Sequence, residues 1–402
     1  MNTTNACVRS PVPTIGLCFI VALFEGLDVQ SAGIAGPAIA AHFGLSPSMM
    51  GAVFSASIIG LLPGALVGGW LADRLGRKRV LIVAVIIFGM FSLATAMAWS
   101  FESLLMMRFL TGVGLGAAMP NLIALASEAV EQRSHGQAVS IMYCGLPLGG
   151  AIAVLISNAD LEDSWKAVFY VGGVGPLLVV PLLCLWLPES AVYHAQKERD
   201  HCARRPYLRV LFQQGAARST LLLWVSYFFT LMVLYLLQNW LPSLMMSQGL
   251  VRSDAGTVQV ALNLGGAIGS LLMGLLMDRW RVTALIVSMY LGTVAALAGL
   301  GFSSQFYSMV IAAFAAGFFS IGSQLVLYAL APRFYPTGIR GTGVGSALAV
   351  GRLGSMSGPL VAGQMLAAGS GGAMVLMAAT PGIVVAAAAM LFLVAGQHRK
   401  WR

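Results

Sequence analysis

Glu25 and Asp28 stand three residues apart in an apolar run, and Arg108 and Arg352 interrupt two further apolar runs. Residues at i and i+3 share one face of a helix, so the two carboxylates point the same way. Ionisable side chains at membrane depth are costly and mark functional pathways. A guanidinium offers two parallel donors to a carboxylate, which makes Arg352 a candidate for holding an anionic substrate. Glu25 and Asp28, desolvated and close together, favour a state in which one keeps its proton. They are candidate proton carriers, with Asp28 held by Arg108. The pairings Arg108–Asp28 and Arg352–Glu25 would equally serve to hold helices together.

Long apolar helices must position these groups. Of the 402 residues 58% are hydrophobic and 9% charged, with a mean hydropathy of +0.85. Soluble domains carry about 25% charged residues. A membrane crossing needs about 20 apolar residues, and twelve such runs can be read: 14–38, 50–72, 80–99, 103–127, 137–157, 166–187, 219–241, 255–277, 283–301, 306–330, 342–366 and 373–395. The expected fold is an all-α membrane protein of twelve transmembrane helices in two six-helix halves, 1–187 and 218–402. A polar, basic connector, 188–217, joins them. At a rise of about 1.5 Å per residue, Glu25 and Arg352 come out at similar depths, about 16 and about 15 Å from one membrane face. Asp28 and Arg108 share a deeper level, about 21 and about 22 Å from it.

With both termini on one side, 19 of the 23 lysines and arginines fall on that side and two, Lys166 and Arg252, on the other. The positive-inside rule makes the basic side cytoplasmic. It also explains the net charge of +9 without a nucleic-acid partner. The five histidines lie outside the spans, and the five cysteines show no metal-ligand spacing. No HExxH or GxxxxGK[ST] motif is present, so neither enzyme chemistry, nor an ATP-driven pump, nor any cofactor or metal is expected.

Gly69-Trp-Leu-Ala-Asp73-Arg74-Leu-Gly76-Arg77-Lys78 follows the second run, and Gly274-Leu-Leu-Met-Asp278-Arg279 repeats its core after the eighth. Cys144-Gly145-Leu-Pro147-Leu-Gly149-Gly150 likewise has a counterpart in Gly354-Ser-Met-Ser-Gly358-Pro359. Internal repeats of this kind are typical of secondary transporters, whose sites sit between the halves. Glycine at these positions is expected to let helices approach closely. Glu128, at the end of the fourth run, is placed to pair with the basic loop. Among uncharged residues, Asn121, Tyr143, Tyr227, Asn239, Gln324 and Tyr328 are the candidates for an apolar slot with hydrogen-bonding groups.

The loop at Gly69, Asp73, Arg74, Gly76, Arg77 and Lys78 resembles the signature of the major facilitator superfamily. Arg108-Phe-Leu-Thr-Gly112-Val-Gly114-Leu-Gly116 resembles that family's fourth-helix motif. The resemblance implies that the loop, with Glu128, Asp278 and Arg279, is a conformational latch. Glu25-Gly-Leu-Asp28 is similar to the acidic first-helix motif of the aromatic acid:proton symporters, with glutamate in place of the usual first aspartate. Together with Asn239-Trp240-Leu241-Pro242 and Val350-Gly351-Arg352-Leu353-Gly354, it resembles the phenylpropionate carriers of that family. The resemblance implies proton-coupled uptake of a small aromatic carboxylate by a monomer in a bacterial inner membrane. From the residues alone, export and a sensor built on the same fold both stay open.

Overall fold

The computed structural model describes residues 11–131, 134–159, 164–190, 212, 217–335 and 339–398. Of the expected connector, 191–211 and 213–216 lie outside the described residues, as does Arg133. The first half comprises α1 (Pro11–Ile34), α2 (Gly36–Phe43), α3 (Pro47–Leu75), α4 (Arg77–Ala96), α5 (Phe101–Glu128), α6 (His135–Tyr143), α7 (Gly145–Ser157) and α8 (Ser164–Trp186). The second comprises α9 (Ala217–Ser247), α10 (Arg252–Arg279), α11 (Val282–Phe302), α12 (Phe306–Leu330), α13 (Arg340–Ala367) and α14 (Gly372–His398).

Eleven segments are long and apolar enough to cross a membrane, α6 and α7 together making one of them. The twelfth, α13, has the length but is rich in glycine and serine and carries Arg352. It lies between α3 and α9, against protein, which is why lower apolarity suffices there. Elsewhere leucine and isoleucine face outward: Leu66, Leu178 and Ile311 are about 70% exposed or more. Helices apolar all round belong in a bilayer.

The expected spans split in two places. The first run ends at Ala35, where Pro37 opens α2. The fifth breaks at Cys144, because Pro147 has no N–H to give the carbonyl of Tyr143. Ends are set locally as well. Ser46 caps α3 by accepting from the N–H of Met49, and Ser100 and Ser103 form a reciprocal capping box on α5.

Glycine seams hold each half. A β-carbon on Gly60 would stand 2.1 Å from the carbonyl oxygen of Phe109, and one on Gly112 1.9 Å from that of Ser57, so α3 and α5 touch backbone to backbone. Gly265 against Phe314 and Gly317 against Leu262 repeat the contact between α10 and α12. Gly149 against Leu23 and Gly354 against Phe228 form the second matched pair of seams, α1 with α7 and α9 with α13. The sequence repeat is therefore a packing repeat. Gly69, expected to serve close approach, faces open space; its neighbour Gly68 is the one pressed on Ala117. We expect Gly112→Ala to destabilise the protein by at least about 1–3 kcal/mol, the usual cost of overpacking, and Gly69→Ala to leave stability unchanged. Melting of the detergent-solubilised variants checks both.

Across the halves, α3 meets α13, α7 meets α10 and α1 meets α9. At the end away from the basic loops this contact is close. Gly51 sits under the carbonyl of Pro359, Trp240 donates to that same carbonyl at 3.0 Å, and Arg252 donates to Ser157. Toward the basic end the halves meet through the Tyr143 ring, edge-on to Tyr328.

Candidate functional site

Between the halves lies a cavity. Glu25 reaches it from α1, Tyr143 from α6, Tyr235 and Gln238 from α9, Gln324 from α12 and Arg352 from α13. Glu25 is 3% exposed, and its Oε2 has no hydrogen-bond partner. Arg352 donates through Nη1 to the Tyr235 hydroxyl at 2.8 Å. Among the described residues Glu25 and Arg352 form no ion pair. The cavity thus holds a guanidinium with unspent donors beside a carboxyl with an unspent oxygen. Such a pair can take up an anion and a proton.

The other candidate residues divide. Gln324 donates to the Tyr328 hydroxyl at 2.8 Å, and Tyr328 stacks on Tyr227 with centroids 5.9 Å apart. Tyr227 is itself fully buried and donates to the Leu327 carbonyl at 2.9 Å. These two rings back the wall that Tyr143 and Gln324 present. Asn239 bonds back to the Tyr235 carbonyl at 2.9 Å, and its backbone packs on Gly33. It is placed away from the cavity lining.

Asp28 and Arg108 also lie apart from the cavity, both wholly buried. Arg108 Nη1 meets Asp28 Oδ2 at 3.0 Å and Nη2 donates to the Asp28 carbonyl at 3.1 Å. Ser92 donates to Oδ1 at 2.6 Å, and the guanidinium lies 5.5 Å from the centre of the Phe169 ring. The helix rotation between positions 25 and 28 sends one carboxylate to the cavity and the other into its own half.

At the basic end Gly76 turns the chain with φ +95°, a conformation that favours glycine. Arg77 forms an ion pair with Glu128, and Arg74 stacks over Trp70 at 4.0 Å. Lys78 donates from its backbone to Glu189 Oε1 at 2.9 Å and from Nζ to the Cys184 carbonyl at 2.8 Å. The contacts of Arg77 and Lys78 tie α4 to α5 and to the end of α8 within one half. Asp73 and Arg279 are exposed, and the side chain of Asp278 lies outside the described residues. Sequence reasoning missed Glu189, Tyr235, Gln238 and Gln30. Only Glu189, a lone acid shortly after the sixth span, carried a signal that could have found it.

Helices in two repeated halves around a cavity with a few convergent polar groups define a membrane carrier of the secondary-transporter class. The family described as Major Facilitator Superfamily matches residues 18–251 and 223–402. The chain is similar to the 3-(3-hydroxy-phenyl)propionate transporter of Escherichia coli (strain K12), 56% identical over 96% of this chain and 94% of the relative. It is also 36% identical to the gallate transporter of Pseudomonas putida, over 95% of this chain and 91% of the relative. Among solved structures, a D-xylose-proton symporter shares the fold with a TM-score of 0.74 at 16% identity, covering 96% of this chain and 97% of that one. The chain belongs to the Major Facilitator Superfamily. It is a multi-pass membrane transporter, not an enzyme.

Proposed function

We propose that this protein imports an aromatic carboxylate of the 3-(3-hydroxyphenyl)propionate kind together with a proton, by alternating access. The observation that carries the reading is that Arg352, set by Tyr235, and Glu25, whose Oε2 is unpartnered, line the same cavity. The lining, a guanidinium, amides and tyrosine rings among apolar side chains, suits a small aromatic acid, since such sites pair apolar walls with a few placed polar groups. The relatives named for transport of 3-(3-hydroxy-phenyl)propionate and gallate support the same class of substrate.

In this reading the carboxylate lands on the guanidinium donors that Tyr235 leaves free. An ionised Glu25 would compete for Arg352. Protonation of Glu25 removes the competitor, so substrate and proton favour each other's binding. Tyr143 and Gln324 offer the ring a flat face and a polar partner for its hydroxyl. Asp28, held by Arg108, serves structure and leaves proton transfer to Glu25. The basic end faces the cytoplasm of a bacterial inner membrane, with both termini on that side, and the protein works as a monomer. The latch residues from Gly69 to Lys78 with Glu128, and Asp278 with Arg279 in the second half, then stabilise the cytoplasmic face during the cycle.

The test is substrate-dependent proton movement in proteoliposomes containing the parent or Glu25→Gln. The parent moves protons with 3-(3-hydroxyphenyl)propionate. The variant loses accumulation driven by a pH gradient but keeps exchange of internal for external substrate. Undiminished gradient-driven accumulation by the variant would remove Glu25 from the proposal.

A further inference from the structure

One buried set of side chains joins the halves through uncharged groups. Gln30 on α1 faces Asn263 and Gln259, which lie one turn apart on α10. Gln30 Nε2 donates to Asn263 Oδ1 at 2.9 Å, and its Oε1 accepts from Asn263 Nδ2 at 2.9 Å and from Gln259 Nε2 at 3.0 Å. Each of the three residues is at most 1% exposed. Gln30 also borders the cavity. Its seat is made by Gly150, where a β-carbon would stand 2.1 Å from the Gln30 amide nitrogen.

We propose that the reciprocal Gln30–Asn263 pair, buttressed by Gln259, is the gate that shuts the cavity from the periplasm. This rests on the alternating-access reading, since α1 and α10 belong to opposite halves. The chemistry suits a contact that must open and close. Buried amides need partners, and when the halves part, water replaces those partners at small net cost. Because the pair is reciprocal, its two hydrogen bonds break together, so the gate has two positions rather than a continuum. The unpartnered Gln259 Oε1 leaves one further acceptor in the cluster.

The test uses no substrate, so its failure is distinct from an error in the substrate assignment. Leu146→Cys, at the cavity wall, is placed in a chain whose native cysteines are serine. It is labelled from outside the cell with a membrane-impermeant thiol reagent. Adding Asn263→Leu or Gln30→Leu should raise the labelling rate about tenfold by populating the outward-open state. The swap Gln30→Asn with Asn263→Gln, which keeps two facing amides, should bring the rate back. If a leucine variant fails to reach the membrane, Asn263→Ser replaces it under the same criterion. A variant present at the parent's level and labelled at the parent's rate overturns the proposal.

Discussion

Arg352→Lys is expected to lower the initial rate of 3-(3-hydroxyphenyl)propionate uptake at low substrate concentration by about 10–100-fold. Lysine keeps the positive charge but loses the planar fork. Hydrogen bonds to charged groups contribute about 1.5–3 kcal/mol each, which sets that range. In the structure the fork is already oriented, because Nη1 is spent on the Tyr235 hydroxyl at 2.8 Å. Tyr235→Phe should therefore cost less, about five- to tenfold, since it frees the guanidinium to wander without removing it. Arg352→Gln, which removes the charge as well, should abolish uptake. Radiolabelled uptake at matched membrane abundance decides the matter. Parent-like affinity in the lysine variant would place the carboxylate elsewhere.

Asp28→Asn is expected to be the most damaging single change to stability, at about 3–5 kcal/mol, because it strands a buried guanidinium. Arg108 is wholly buried and draws its charge partner from Asp28 alone among the contacts described. Replacing both members, Asp28→Asn with Arg108→Gln, should recover much of the loss, since no uncompensated charge remains. Melting in detergent for the two single variants and the double variant measures the coupling. Additive losses would show that the pair does not hold the half together. The double variant also separates two roles for Asp28. If it accumulates substrate with a pH gradient, Asp28 is structural; if it exchanges but does not accumulate, Asp28 shares the proton with Glu25.

Charge was legible in the sequence because membranes penalise it. Asp28 with Arg108, and Glu128 with the basic loop, can be paired from depth and topology in the sequence alone. So can the two halves, since repeated glycines at equal helix positions imply repeated seams. Direction was harder to read. Neighbouring residues point about 100° apart on a helix, and residues three apart about 60°, which is why Gly68 rather than Gly69 meets Ala117 and why Asp28 leaves the cavity that Glu25 enters. Uncharged polar residues carried the weakest signal of all. Gln30, Gln238 and Asn263 resemble any isolated amide in an apolar run until the fold sets them against one another. Tyr235 could pass for one more aromatic ring among the leucines of α9.

The four charges at membrane depth are two acids and two arginines, and they sum to zero. In the proposed symport, where one anion loads with one proton, that sum is unchanged. A transmembrane voltage acts on net charge, at about 2.3 kcal/mol per elementary charge per 100 mV. It therefore has nothing to pull on in either the empty or the loaded carrier. Under that symport a cell would concentrate its aromatic acid according to the pH difference alone, about tenfold for each unit, and would keep doing so when its membrane is electrically discharged.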